Sequence, residues 1–388
     1  MTSHTLAGCE AYTLHNSLQQ WSFRSLCTNY PNRSDVSNVY ELSNSNFQYT
    51  PTFRIFHDVY LTSIAGNIHA PCSHDVRLTE RGNRRAMWNI PPPLDNITTN
   101  RNPPHMNVTL YRVCRANWHN PYESFGAYVN AFIAFKLFNL DENVHIVISD
   151  VGGVQSNFDS EIWQSMSRHP ILYRTAKSRD IHQPIIVKRL IKAANSAATI
   201  VDTRSNDGVF RGRGADHHCH SSFFMEMTMW LRSRFRVAGR SAYQQTRKRV
   251  TWLHRIPFKV NHQRHIPSIR VKYLPLAIRT LNRSLDPRYE LHRIYPEQMK
   301  VREIIEQMSA SDVFIAAHGA GNTWLIFMPP GSYFIELFGG DRGPANRHYH
   351  NLASLVGVNH RQIAVGSDGC QKSCIHKLHQ LLLTCLPT

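Results

Sequence analysis

The apolar run Val313–Ala317 ends in His318-Gly319-Ala320-Gly321-Asn322. Small residues at a strand end let a ligand approach the backbone closely. The free N–H groups that open the next helix add partial positive charge. This combination suits a phosphate, with His318 placed to donate to that phosphate or to a sugar oxygen. The alternative is a tight turn whose glycines supply only conformational freedom and whose His318 caps the helix. Downstream, Glu336 interrupts the apolar stretch Phe334–Leu337. A buried carboxylate needs a partner, either a pair of ligand hydroxyls or a structural arginine. Arg255 follows the run Val250–Leu253, and Lys259, Arg264 and His265 lie in the same stretch. Beside a phosphate-cradling turn they would form a diphosphate clamp; otherwise they are a solvated basic loop.

The elements that must position these residues are legible in the pattern. Val250–Leu253, Tyr289–Ile294, Val313–Ala317 and Tyr333–Leu337 read as strands. Helices are expected over Leu274–Leu285, along the face Val301, Ile304, Ile305 and Met308, and from about Asn322 until Met328-Pro329-Pro330-Gly331. Upstream, Val108–Val113 and Val144–Ser149 read as strands around a helix over Tyr122–Phe138. A helix over Ile162–Met166, a short strand Ile171–Tyr173 and a helix over Phe223–Phe235 follow. Alternation of this kind is βαβ grammar and predicts α/β folding on parallel sheets, whose ligands bind outside the carboxyl ends of the strands. Residues 1–49 are expected to be irregular, and the prolines within 89–104 predict an extended loop. We expect domains over 50–243 and 244–388, divided near the basic run Gln244–Arg249.

Composition narrows the function classes. The 388 residues are 42% hydrophobic and 18% charged, which excludes a disordered chain or a coiled coil. Lys plus Arg exceed Asp plus Glu by 44 − 27 = 17, and 23 histidines accompany them. Such a balance suits an anionic partner. A nucleic-acid binder would satisfy it, yet no helix-turn-helix, zinc-finger or RRM signature is present, and the basic residues are spread along the chain. No apolar run reaches the roughly 18 residues of a membrane span. The first forty residues hold no signal-peptide core, so the expectation is a protein outside the secretory route or a chain without its natural beginning.

The motifs resemble those of glycosyltransferase family 61. The resemblance rests on His318-Gly319-Ala320-Gly321, on Phe327-Met328-Pro329-Pro330-Gly331, on Ile335-Glu336, on the strand ending in Arg255, and on Arg264-His265-Ile266. Earlier, Asn120-Pro121-Tyr122-Glu123-Ser124-Phe125, Val147–Asp150 and Glu161–Trp163 are similar to family segments. The resemblance implies a GT-B-like enzyme, with two Rossmann-like domains facing a cleft. It implies inverting transfer of a sugar, GlcNAc or xylose, from a UDP-sugar to a hydroxyl of a protein or glycan, with no obligatory metal or other cofactor. Under it the turn Gly319–Asn322, with Arg255 and Arg264, holds the diphosphate, His318 faces the diphosphate or donor sugar, and Glu336 holds the nucleoside. The first domain would supply the acceptor side and a base, with Asp150 and Glu123 as candidates. Asp150 reads equally as a helix cap or loop hydrogen bond. The family also implies the lumen of the endoplasmic reticulum or Golgi.

The chain departs from the family pattern at Glu123 (usually His), Ala127 (Asp in some members), Asn322 (commonly Leu) and Trp324 (commonly Asn or His). These departures leave open a relative that binds a nucleotide sugar without turning it over. His217, His218, Cys219 and His220 are adjacent and cannot all converge on one zinc ion. Near Cys370 and Cys374 a disulfide is the plainer expectation than a metal site. Sequons at Asn32, Asn96, Asn107 and Asn282 fit a secretory protein, and chance would supply several in so Asn-, Ser- and Thr-rich a chain.

Overall fold

Apolar runs with β-branched residues become buried strands, and the spacing of Val301, Ile304, Ile305 and Met308 becomes a one-sided helix. The computed structural model describes residues 21–25, 39–44, 52–61, 68–69, 105–113, 115, 120–149, 157–173, 185–193, 220–238, 247–254, 258–260, 263–265, 287–339, 347–365 and 372–385. The loop expected at 89–104 and the helix expected at Leu274–Leu285 lie outside them. The chain folds as two compact units, His15–Trp118 with Glu123–Asp202, and Met1–Leu14 with His119–Tyr122 and Thr203–Thr388. Residues 222–234 thus cluster with the later half of the chain, and the division falls ahead of residue 244.

The N-terminal unit is built on a mixed sheet. Its strands are β1 (Trp21–Ser25), β2 (Val39–Asn44), β3 (Thr52–Leu61), β4 (Ile68–His69), β5 (His105–Val113), β6 (His145–Ile148), β7 (Leu172–Tyr173) and β8 (Ile185–Ala193). The order is β1-β2-β3-β8-β5-β6-β7, with β4 on β3. Strands β8, β5, β6 and β7 run parallel to one another, whereas β1 to β4 join by antiparallel pairing. Two of these strands correct the expectation of an irregular segment over 1–49. Trp21 and Phe23 alternate with polar residues, as do Tyr40 and Leu42, but strands of five and six residues are too short to stand out in a Ser- and Asn-rich stretch.

Helix α1 (Pro121–Leu137) begins where Asn120 accepts the Tyr122 N–H through Oδ1 at 3.0 Å, an N-cap ahead of a proline at the first helical position. From Phe125 to Phe135 it is buried on every side, as its lack of a polar face predicts. Helix α2 (Asn157–Ser165) carries Asp159, which is 1% exposed, ion-paired to Arg115 and hydrogen-bonded by the Tyr128 hydroxyl at 2.7 Å. Among the described residues no helix is long and apolar enough to cross a membrane.

The C-terminal unit contains α3 (Ser222–Arg234) and a five-stranded parallel sheet. Its strands are β9 (Lys248–Leu253), β12 (Tyr289–Ile294), β13 (Val313–Ala317), β14 (Tyr333–Gly339) and β15 (Asn359–Val365); β10 (Phe258–Val260) and β11 (Gln263–His265) form a separate antiparallel pair. Helices α4 (Val301–Ser309), α5 (His348–Leu355) and α6 (Lys372–Cys385) and a 3-10 helix over Ala320–Phe327 complete the alternation. The sheet order β12-β9-β13-β14-β15 is 2-1-3-4-5 in chain order, so its direction of winding reverses between β9 and β13. In doubly wound sheets the crevice at that reversal, outside the carboxyl ends, is the binding position.

Side-chain alternation gives this sheet two faces. Val250, Trp252, Val313, Ile315, Ile335, Leu337, Ile363 and Val365 pack with Leu378 and Leu382 of α6. Phe314, Ala316, Phe334 and Glu336 have the opposite parity, and Phe314 stacks on Phe334 with centroids 5.3 Å apart. At the start of β13, Asp312 accepts the Arg249 N–H at 2.8 Å and donates its own N–H to the Arg249 carbonyl at 2.9 Å, which fixes the two strands bordering the crevice. Replacing Asp159 by Ala in the N-terminal unit would strip Arg115 of its carboxylate in a dry site. We expect a loss of about 3–5 kcal/mol in denaturant unfolding.

Candidate active site

The strand pairing determines what meets at the carboxyl end of this sheet. Ala316 pairs with Glu336, and Glu336 pairs with Gln362. The small Ala316 leaves room beside Glu336. His318 lies two residues beyond Ala316, and His360 two before Gln362, so both imidazoles share the face of the carboxylate.

The result is a dry ionic cluster. His318 donates from Nδ1 to Glu336 Oε1 at 2.6 Å, and His360 donates from Nε2 to Oε2 at 3.0 Å. The side-chain amides of Asn322 and Gln362 approach Oε1 and Oε2, each at 3.4 Å. The side chains of Glu336, His318 and His360 are 1%, 6% and 5% exposed. Burial alone would raise the Glu336 pKa. The hydrogen bonds and charge of His318 and His360 outweigh it and draw the carboxyl down to about 2. Among the described residues the partners of the buried Glu336 are a pair of imidazoles in place of the arginine weighed from the sequence.

Behind His360, the Nδ1 atoms of His350 and His360 face each other at 3.2 Å. His318 is walled by Phe338 and Tyr349, with ring centroids at 4.7 and 5.3 Å. His360 lies against Phe334 at 5.3 Å. His350 and His360 escaped sequence reasoning because histidines among Asn and Arg read as surface; the sign that was available was the buried Glu336, which demanded cationic or donor partners.

The turn after β13 has the predicted place and a different helix. His318 gives its N–H to the Leu337 carbonyl at 2.9 Å, and Asn322 gives its own to the Gly319 carbonyl at 2.9 Å. Between them, the N–H groups of Gly319, Ala320 and Gly321 make no hydrogen bond among the described residues. Consecutive N–H groups of this kind are donors that an acceptor could take up. The helix expected from about Asn322 is a 3-10 helix starting at Ala320, whose first turn is closed by the Thr323 hydroxyl on the Ala320 carbonyl at 2.8 Å. Asn322 is fully buried, and its Oδ1 accepts no hydrogen bond among the described residues.

On the other side of the winding reversal, β9 ends at Leu253 and His254 gives its N–H to the Ile294 carbonyl at 2.9 Å. The His254 ring lies 5.1 Å from that of Tyr295. Burial, joined by the charge of Arg293 and opposed by Glu297, lowers its pKa. Arg255 follows directly and lies outside the described residues, as do Asp150, Cys370 and His217–Cys219. Arg264 stands on β11, its Cα paired with that of Lys259 on β10. Glu123 is in the first turn of α1. Cys374 is buried on α6 and disulfide-bonded, the chemistry expected for this stretch.

A sequence profile of the family described as Glycosyltransferase 61 matches residues 107–335, more than half of the chain. The chain is also similar to the EGF domain-specific O-linked N-acetylglucosamine transferase of Xenopus laevis. The two are 25% identical over 248 residues, which cover 62% of this chain and 42% of that relative. The match therefore spans less than half of the relative's length.

The depressed Glu336 pKa has a direct consequence for stability. Its contribution is complete above the ordinary carboxyl value of 4.5 and is lost as pH falls toward about 2, because the unfolded chain takes up the proton first. Denaturant unfolding followed between these limits will show stability falling with pH, and Glu336→Gln will flatten that part of the profile.

Proposed function

Since the chain belongs to the glycosyltransferase 61 family, we propose that it transfers a sugar from a UDP-sugar to a hydroxyl of a protein or glycan, with inversion at the anomeric carbon. The observation that carries the reading is the run of unpaired N–H groups at Gly319, Ala320 and Gly321, placed beside the winding reversal of a doubly wound parallel sheet. A diphosphate fits such a cradle because its oxygens are acceptors only and its charge meets the oriented N–H dipoles. Arg255 and Arg264 close on the same anion. Their charge and the N–H groups oppose the negative charge that develops on the diphosphate as the anomeric C–O bond breaks.

In this reaction the acceptor oxygen attacks the anomeric carbon from the face opposite the diphosphate. The C–O bond to the diphosphate breaks with its electron pair, UDP departs, and the acceptor proton passes to a base. Asp150 or Glu123 takes that proton in our reading. The two units are the halves of a GT-B-like enzyme, with the acceptor held by the N-terminal one. Glu336 enters as the anchor of His318, and the nucleoside contact first expected of it is unassigned. Of the two sugars, GlcNAc is favoured by the name of the Xenopus relative. The Cys374 disulfide and the sequons support the lumen of the secretory pathway, where such bonds persist. The departures at Glu123 and Ala127 favour one second reading, a relative that binds the nucleotide sugar without turnover.

Thermal unfolding with UDP, UDP-GlcNAc, UDP-xylose and UDP-glucose tests the donor site. A ligand at one hundred times its Kd stabilises the native state by about 2.7 kcal/mol, so a clear rise in Tm is expected with UDP and with the true donor. Arg255→Ala and His318→Ala will reduce that rise, and no response to any of the four ligands removes the reading. In sugar transfer assays, Asp150→Asn or Glu123→Gln will lower kcat by about 10²–10⁴ while leaving UDP affinity intact. Binding without transfer in the unmodified protein selects the second reading.

A further inference from the structure

The Glu336 cluster contains more histidine than a diphosphate contact requires. His318 stands at the turn; His360 is on β15 and His350 on α5, and they are linked to it in the order His350, His360, Glu336. An ionised carboxylate only accepts hydrogen bonds, so each imidazole nitrogen facing Glu336 must carry a proton. This places a proton on Nδ1 of His318 and on Nε2 of His360, so the two rings meet one carboxylate through different nitrogens. The facing Nδ1 atoms of His350 and His360, 3.2 Å apart, leave room for a single proton between them. One proton on that line couples His350 to the carboxylate through His360. Loss of His360 would leave Oε2 with the longer 3.4 Å contact from Gln362 and free the carboxylate to turn away from His318.

We propose that His360, backed by His350, is a positioning residue that acts through Glu336 to hold the His318 ring in one orientation at the turn, with Nδ1 donating to the carboxylate. The arrangement follows the logic by which a buried carboxylate orients a working imidazole, with one more imidazole on the carboxylate's second oxygen. Phe338 and Tyr349 pack around the His318 ring, and Phe334 packs against that of His360, so neither ring is held by its hydrogen bond alone. The placement of the His318 ring beside an anionic ligand rests on the diphosphate reading above; the lock itself does not.

Nitrogen-15 NMR of the full chain labelled at histidine, with signals assigned by single substitutions, reads the tautomers without any activity assay. His318 protonated on Nδ1 and His360 on Nε2 are expected. His318 protonated on Nε2 alone overturns the proposal. Calorimetry with UDP then compares His360→Leu with His360→Gln, whose amide nitrogen can replace Nε2 as the donor. His360→Leu should bind UDP about tenfold more weakly and His360→Gln nearly as well as the parent, the difference reflecting one hydrogen bond to a charged group. A folded His360→Leu protein with parental UDP affinity and an unchanged His318 signal also overturns the proposal. Should His360→Leu fail to fold, the parental tautomers and the affinity of His360→Gln decide it. The expected protonation in a protein that binds no UDP supports the lock and removes the transferase reading. UDP binding with His318 protonated only on Nε2 does the reverse.

Discussion

The C-terminal unit is organised around one buried charge. Removing a carboxylate from water costs several kcal/mol even after relaxation, and each hydrogen bond donated to that charged group returns about 1.5–3 kcal/mol. Glu336 is tolerated on a central strand because β13, β14, α5 and β15 together deliver His318, His360, His350, Asn322 and Gln362 around it. None of those elements can slip independently. A shift of β15 by one residue would turn His360 and Gln362 to the opposite face and carry Ile363 off the α6 side. The carboxylate therefore acts as a register pin as well as an electrostatic centre, and the turn that follows β13 inherits its position from it.

That position matters because of the topology. A parallel sheet that winds one way from β9 to β12 and the other way from β13 to β15 leaves a gap between the two connections at the carboxyl ends. His254 and the turn at Gly319 flank this gap by virtue of the strand order alone. Asp312 and Arg249 pair the two strands at the opposite end. The crevice is thus defined by backbone hydrogen bonding, and the glycine-rich turn adds three N–H groups that make no hydrogen bond among the described residues.

How much of this was readable in the sequence depended on whether the signal was local. β9, β12, β13 and β14 are apolar runs bounded by breakers, and α4 repeats its apolar residues at helical spacing, so each announced itself. β8 did not: Lys188, Arg189 and Lys192 interrupt its apolar residues and disguise a strand paired on both sides as a basic stretch. β15 reads Asn359-His360-Arg361-Gln362, polar enough for a loop, because it is an edge strand whose imidazole is stabilised by a carboxylate 24 residues away. α5 has the same disguise, with His348 and His350 around a buried Tyr349. The Gly-rich turn and Glu336 were legible as separate candidates. Their connection was not, since it depends on strand register and on histidines that only the folded sheet removes from water.

The same reasoning separates Asn322 from the residues around it. Where the family commonly has a leucine, this chain places an amide that approaches Glu336 through Nδ2 and leaves Oδ1 buried without a donor among the described residues. A leucine there would leave Oε1 to His318 alone. The amide adds a second, weaker hold on that oxygen, so its presence is consistent with a cluster that keeps its carboxylate internal. Asn322 stands one residue past the unpaired N–H groups, with an acceptor still to satisfy.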